Sequence, residues 1–312
     1  MIPYFSEEDI RKKVSMTQAI ALMKEAFVQL SSHKAVVPVR TVIPTANQDG
    51  RVLFMPSYSP TFSLFGLKMV SVFNNNTGEG LPVIQGNMLI MDGKNGSPLA
   101  LLDAEYLTAL RTGAASGLAT DWLSRKDSEV LAVFGTGRQA ETQVEGVLAV
   151  RGIKKVLVFG RDVKGTDSYC GRLMDKHAIE IQPATSPVQL NEADIICTAT
   201  TSSTPVFESQ DIKAGTHING IGSFTASMQE IPEEVIKRSW LVVDHYEAAL
   251  KEAGDVVIAI QKGIIDQNHL RAELGEIILG RNAGRTLKDQ ITVFKSVGNA
   301  IQDLAIASFL VK

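Results

Sequence analysis

The sequence predicts an α/β protein, a doubly wound parallel sheet joined to an α+β domain that is discontinuous in the chain. Three observations carry that prediction. Between residues 121 and 290, short apolar runs near 130–134, 156–160, 193–199, 216–221 and 240–244 alternate with segments of helical periodicity, the pattern of repeated βαβ units. Residues 1 to about 120 instead show one amphipathic helix followed by successive strand-like pieces, as in a mostly antiparallel α+β unit. The closing stretch, 291–312, starts strand-like and ends as an apolar helix whose faces need cover, so it is expected to return to the first domain. At 312 residues the chain is long enough for two separate cores.

In the first domain, Ser15-Met-Thr-Gln18 is a capping-box sequence, and Ala19, Leu22, Met23, Ala26, Phe27 and Leu30 follow at helical spacing. Strands are expected near 36–43, 51–55, 64–73, 83–91 and 97–102, separated by Pro, Asn and Gly. A further helix runs through Tyr106 to Thr120 and contains Thr112-Gly-Ala-Ala-Ser-Gly-Leu-Ala. Glycine inside a helix costs about 1 kcal/mol relative to alanine, so a neighbour must pack very close there. The seam between domains is placed at this helix.

Three cations of that domain stand apart. Arg40 is the only charge between Lys34 and Asp49, Lys68 the only one between Arg51 and Glu79, and Arg111 interrupts the uncharged helix. A buried charge without a partner costs several kcal/mol, and the neighbouring sequence offers no anion to any of the three. Each side chain could instead snorkel to solvent from an apolar element. If the three converge, the missing anion is a ligand, and a carboxylate suits the arginine fork.

The second domain opens on Val130-Leu-Ala-Val-Phe-Gly135-Thr-Gly137-Arg-Gln-Ala140, a buried strand, a tight turn and a helix start. Ala140, Val144, Val147 and Leu148 give the helix one apolar face, and Lys155-Val-Leu-Val-Phe-Gly160 supplies the second strand. The pattern is that of the Rossmann dinucleotide-binding unit, in which one glycine makes the turn, the next admits a pyrophosphate, and the third small residue lets helix pack on strand; the alternative is a tight strand-to-helix turn with no ligand. Ligands of such sheets lie at the carboxyl ends of the strands. Those ends nominate Gly135, Thr136, Gly137, Arg138 and Gln139, then Arg161 and Asp162, then Thr198, Ala199 and Thr200, then Ile221 and Ser223. An acid at the second strand end selects NAD and an arginine favours the 2′-phosphate of NADP. Arg161 comes first and the direction of Asp162 is open, so NADP(H) is preferred and NAD(H) is admitted. Beyond a later strand, polar groups concentrate from Asp244 to Asp255, where Glu252 and Asp255 could be cap and turn residues.

Composition excludes several classes. A net charge of −3, with 45% hydrophobic and 21% charged residues, describes an ordinary globular chain without the cation excess that nucleic acid or an acidic membrane requires. Only two cysteines occur, Cys170 and Cys197, so no disulfide framework is expected and a reducing compartment is implied. The five histidines, at 33, 177, 217, 245 and 269, have no zinc-type spacing, and no metal is expected. The amino terminus turns acidic before a signal-peptide core could form and no run reaches membrane-span length, so a cytoplasmic protein is expected.

Taken together, Pro38-Val-Arg40, Gly66-Leu-Lys68-Met-Val-Ser, Leu107-Thr-Ala-Leu-Arg111-Thr-Gly-Ala-Ala, Gly135-Thr-Gly-Arg-Gln-Ala140, Ala248-Ala-Leu-Lys-Glu252-Ala-Gly-Asp255 and Val293-Phe-Lys-Ser-Val-Gly298 resemble the ornithine cyclodeaminase and mu-crystallin family, in order and over almost the full length. The resemblance implies a homodimer built by the first domain, a nicotinamide held between that domain and the Rossmann domain, and a substrate carboxylate held by Arg40, Lys68 and Arg111, with Ser296 joining the substrate-binding set. One departure bears on the reaction. Members that deaminate ornithine or oxidise alanine carry an aspartate shortly after the Ile-Asn-x-x-Gly segment, and here Phe224 stands at that place. Phenylalanine can neither take a proton nor steady an ammonium. The Gly222-Ser-Phe-Thr form, followed by Met228-Gln-Glu230, looks more like the branch that reduces cyclic ketimines such as 1-pyrroline-2-carboxylate or 1-piperideine-2-carboxylate. The expected reaction is then NAD(P)H-dependent reduction of a C=N bond, with Lys68, Glu252 or a water they hold as proton donor. Ornithine cyclodeaminase, alanine dehydrogenase and an NADPH-retaining binding protein of the mu-crystallin type remain as alternatives.

Overall fold

The computed structural model describes residues 2–46 and 50–311. The chain divides into two compact units, Met1–Arg111 with Asn299–Lys312, and Thr112–Gly298. The break falls inside one helix, earlier than the position expected near residue 120. The C-terminal return begins at Asn299 and not at 291, because residues 292–295 are hydrogen-bonded into the second unit's sheet.

The first unit contains strand Tyr4–Phe5 (β1), helices Glu7–Lys13 (α1) and Met16–Ser31 (α2), strands Thr41–Pro44 (β2), Gly50–Ser59 (β3), Leu64–Phe73 (β4), Ile84–Asp92 (β5) and Pro98–Asp103 (β6), and the start of helix Ala104–Leu123 (α3). Ser15 and Gln18 form the expected capping box on α2, and Ala19, Met23, Ala26, Phe27 and Leu30 are buried along one face. The sheet runs β1-β6-β5-β4-β3-β2, antiparallel except for β1 beside β6. The strand expected from 36 starts only at Thr41: Val36 makes a single bridge to Tyr58, and Pro38 has no N–H to give a ladder. The C-terminal helix, Ala300–Leu310 (α10), packs on β3, β4 and α2.

The second unit takes the rest of α3, then Val130–Phe134 (β7), Arg138–Leu148 (α4), Lys155–Phe159 (β8), Val163–Met174 (α5), Glu180–Pro183 (β9), Ile195–Thr198 (β10), His217–Gly220 (β11), Glu233–Arg238 (α6), Trp240–Val243 (β12), Tyr246–Glu252 (α7), Gly254–Gln261 (α8), Leu270–Glu273 (β13), Leu274–Ile278 (α9) and Thr292–Lys295 (β14). Its eight-stranded sheet runs β13-β12-β14-β11-β10-β7-β8-β9, every pair parallel. Strand order reverses between β7 and β10, which makes their carboxyl ends the crevice where such sheets take ligands. Both sheet faces are covered. Leu131 and Val133 pack into one core and Ala132 and Phe134 into the other, as a strand buried on two sides requires.

The small residues of α3 do meet a close neighbour, and it is α4 of the same unit. A Cβ on Gly113 would lie 2.2 Å from the Thr142 carbonyl oxygen, and one on Gly146 would lie 2.1 Å from that of Gly113. Among the described residues, no helix is long and apolar enough to cross a membrane and no cluster of His, Cys, Asp and Glu could hold a metal ion.

Candidate active site

On β4 the pleat that exposes Phe65 and Met69 turns Lys68 inward, where it is 1% exposed. An ammonium cannot stay there without partners. Its Nζ donates to Asp303 Oδ2 at 2.7 Å and to Thr108 Oγ1 at 3.3 Å. Arg111, also buried, places Nε 3.3 Å from Asp303 Oδ1 and donates from Nη1 to Gln302 Oε1 at 2.8 Å. The Nε contact lacks hydrogen-bond alignment, so Arg111 Nε and Asp303 Oδ1 are left without hydrogen-bond partners among the described residues. Asp303 is wholly buried in the first turn of α10, where the positive end of the helix dipole favours a carboxylate.

Arg40, half-buried just ahead of β2, completes the group. Burial is the main force lowering the Lys68 pKa; Asp303 opposes it, Arg111 and Arg40 reinforce it, and the outcome is about 8. Two of the three solitary cations, Lys68 and Arg111, therefore meet on one carboxylate, and Arg40 is near enough to act on Lys68. The expectation that they find no protein anion is corrected, since Asp303, 235 residues from Lys68 in the chain, serves Lys68 and Arg111 together. Asp303 escapes sequence reasoning because its partners are remote in the chain. A signal is nonetheless present: it is the only charge between Ser296 and Val311, the same mark that singles out the cations.

In the second unit, the β7 to α4 connection has the form of a phosphate cradle. Gly135 has φ 111°, a conformation that favours glycine, and a Cβ there would lie 2.6 Å from the Ala199 carbonyl oxygen at the end of β10. Gly137, the N-cap of α4, brings no side chain to cap the helix and has nothing within 4 Å of where its Cβ would be. Open space therefore faces helix amides that no cap occupies, and Ala140 is fully buried against the sheet. Thr136 and Gln139 are half-buried and Arg138 is exposed around this turn.

The other strand ends are more occupied than expected. At β8, Arg161 is exposed, whereas Asp162 caps α5 by accepting from Gly165 N at 2.6 Å. At β10 and β11, the hydroxyls of Thr198 and Thr200 donate to Glu230, Ser223 Oγ donates to the Met228 carbonyl at 2.9 Å, and Ile221 and Ser223 are buried. These side chains support the loops, so the surface they offer a ligand is mainly backbone, Ala199 included. Ser296 is buried and donates to Asp244 Oδ2 at 2.8 Å. Glu252 lies half-buried in the last turn of α7, and Phe224 packs against the second unit's core.

Comparison with known proteins places these features in a context. The model of the ornithine cyclodeaminase/mu-crystallin family matches residues 4–312. A Delta(1)-pyrroline-2-carboxylate reductase of Bacillus cereus is 40% identical over 307 residues, covering 98% of this chain and 94% of that protein. The structure of Thermococcus litoralis Delta(1)-pyrroline-2-carboxylate reductase, in complex with NADH and L-proline, superposes with a TM-score of 0.95 at 40% identity, covering 99% of this chain and 96% of the other. An archaeal alanine dehydrogenase dimer with bound NAD gives a TM-score of 0.92 at 32% identity, covering 99% and 95% of the two chains.

Proposed function

This chain belongs to the ornithine cyclodeaminase/mu-crystallin family, and we propose that it is an NAD(P)H-dependent reductase of cyclic imino acids, converting 1-pyrroline-2-carboxylate to L-proline and accepting 1-piperideine-2-carboxylate. Near-full-length similarity to two named pyrroline-2-carboxylate reductases supports this reading. The observation that carries it is the buried pairing of Lys68 and Arg111 on one carboxylate, with Arg40 near enough to act on Lys68.

A bound nicotinamide dinucleotide supplies the hydride. The residues present fit that group. Gly135 makes the turn, Gly137 leaves the approach open, and the first amides of α4 would hold the pyrophosphate. Arg161 meets the 2′-phosphate of NADP, and the capping role of Asp162 lessens the pull towards NAD, so NADP(H) is preferred with NAD(H) also used.

Arg40 and Arg111 hold the substrate carboxylate by charge-assisted hydrogen bonds. Lys68 delivers a proton to the ring nitrogen, which a C=N bond needs if its carbon is to accept hydride readily. With a pKa of about 8, Lys68 is largely protonated at neutral pH yet gives up its proton far more easily than an exposed lysine. Asp303 keeps the ammonium in place between turnovers. Glu252 is the alternative donor. Phe224 offers no carboxylate for a primary ammonium, which favours a cyclic imine over ornithine or alanine.

The test is consumption of NADPH and NADH with 1-pyrroline-2-carboxylate, 1-piperideine-2-carboxylate, ornithine plus NAD, and alanine plus NAD. Turnover of the imines with formation of L-proline is the expected result. Turnover of ornithine or alanine alone would replace this reading.

The first unit also carries a surface suited to a homodimer. Phe65 and Met69 are exposed on β4 and stand opposite Tyr58 and Phe54 of β3, forming one apolar face turned away from α10. Tyr58 and Phe65 stack at 4.4 Å. A similar protein is a dimer. Sedimentation should give twice the monomer mass, and Phe65→Arg should reduce it; a monomeric wild type would dismiss the dimer.

A further inference from the structure

Beneath the ends of β10 and β11 lies a carboxylate that takes no part in the reaction described above. Glu230 is wholly buried. Oε1 accepts from the Thr200 backbone N at 2.6 Å and from Thr200 Oγ1 at 2.7 Å. Oε2 accepts from Thr198 Oγ1 at 2.8 Å, from Gly222 N at 2.7 Å and from Ser223 N at 3.2 Å. Every contact comes from a donor, and the donors belong to two different chain segments, one leaving β10 and the other leaving β11.

The Glu230 backbone is fixed in turn. Asp255 Oδ1, in the first turn of α8, accepts from Glu230 N at 2.7 Å and Ile231 N at 3.0 Å, while Asp255 Oδ2 lies 3.1 Å from Lys295 Nζ. Lys295 also donates to the Gly220 carbonyl at 3.1 Å. The available space shows how closely the parts depend on one another. A Cβ on Gly222 would lie 2.4 Å from Glu230 Oε1 and 2.2 Å from the Thr200 carbonyl oxygen, and one on Gly254 would lie 1.8 Å from the Met228 carbonyl oxygen. The loop from 221 to 231 is therefore closed on itself around one carboxylate.

These two strand ends form the second half of a doubly wound sheet, on the far side of β7 from β8 and β9. The first half takes the adenosine side of a dinucleotide, and the second takes the nicotinamide side. We propose that Glu230 is a positioning residue that locks the chain after β10 to the chain after β11, so that the backbone surface meeting the nicotinamide half of the cofactor is preformed. The proposal rests on the dinucleotide reading above. Burial and the nearby Asp255 raise the Glu230 pKa while its donors and Lys295 oppose the rise. Three backbone N–H groups and two hydroxyls meeting its two oxygens suit the anion.

Glutamine is isosteric with glutamate, but it puts an NH2 group on one edge. In either orientation that NH2 faces backbone N–H groups, those of Gly222 and Ser223 or that of Thr200. The experiment measures dissociation constants of NADH and of AMP by calorimetry, for the full-length wild type, Glu230→Gln and Thr198→Val. Glu230→Gln is expected to weaken NADH about ten- to a hundredfold and AMP less than about twofold. Thr198 is wholly buried, so its hydroxyl reaches a ligand only through Glu230; Thr198→Val is expected to weaken NADH about three- to tenfold, again sparing AMP. Should Glu230→Gln fail to fold, Thr198→Val decides alone. Unchanged NADH affinity, or equal loss for NADH and AMP, overturns the positioning role while leaving the dinucleotide reading intact. A wild type that binds neither ligand removes both.

Discussion

The two units treat buried charge in opposite ways. In the first, Lys68 and Arg111 share the carboxylate of Asp303, and Arg40 acts on Lys68 electrostatically. In the second, Glu230 takes bonds from both threonines and from the Gly222 and Ser223 amides, and Asp255 is set against Lys295. The first cluster joins cations through one carboxylate; the second joins a carboxylate to the donors of two loops and so holds a scaffold. Burial alone separates neither case, since Lys68 and Lys295 are both wholly covered. What separates them is the partners: Lys68 meets a second cation, Arg111, across its carboxylate, whereas Lys295 meets Asp255 and the Gly220 carbonyl.

Substitutions can sharpen that contrast. The largest effect belongs to Lys68→Met, which should lower imine reduction by about a hundred- to ten-thousandfold, the range for loss of a general acid, with NADH affinity kept. Steady-state kinetics and an NADH titration measure the two, and near-normal turnover would hand the proton to another group.

Asp303→Asn comes next. It leaves two buried cations without their anion and should cost about 3–5 kcal/mol in denaturant unfolding. The pH profile gives a sharper reading. In the wild type, kcat/KM should fall above about pH 8 as Lys68 loses its proton. Asp303 is the group raising that pKa, so its removal leaves burial, Arg111 and Arg40 unopposed and the alkaline limb should move to lower pH. A limb that stays in place would show that Lys68 is not the acid.

A smaller effect is expected from Gly137→Ala. Its added Cβ meets nothing in the protein, so unfolding stability should be unchanged, yet it fills the approach of the pyrophosphate and should weaken NADH about tenfold. Equal affinity would move the phosphates elsewhere. The smallest is Arg161→Ala, expected to shift the ratio of NADPH to NADH affinity by a few-fold towards NADH. An unaltered ratio would leave cofactor choice to other residues.

The contrast also explains what can be read from the chain. The turn from β7 through Gly135 and Gly137 into α4 is legible because its strand, glycines and helix are consecutive. The cations are legible because each stands alone in an apolar stretch. Asp303 is equally alone, but its partnership depends on α10 returning to β4, which local periodicity does not report. The short strands β9 and β13 escape detection because Glu-Ile-Gln-Pro and Leu-Arg-Ala-Glu, at the two sheet edges, carry too few apolar residues. Thr198, Thr200 and Ser223 sit at the expected strand ends, and their hydroxyls are hydrogen-bonded to the loops, which a hydroxyl in sequence does not disclose. Glu230 is hidden for the same reason, as an acid in a polar loop that only the folded chain surrounds with donors.

The most direct test of the central claim, that Arg40 and Arg111 hold the substrate carboxylate, is calorimetric titration of pyrrole-2-carboxylate, a planar analogue that hydride cannot reduce, into the NADH-loaded wild type and Arg40→Met. Loss of about ten- to a hundredfold in analogue affinity, with NADH affinity unchanged, is the predicted result. Equal analogue affinity in the two proteins would contradict it.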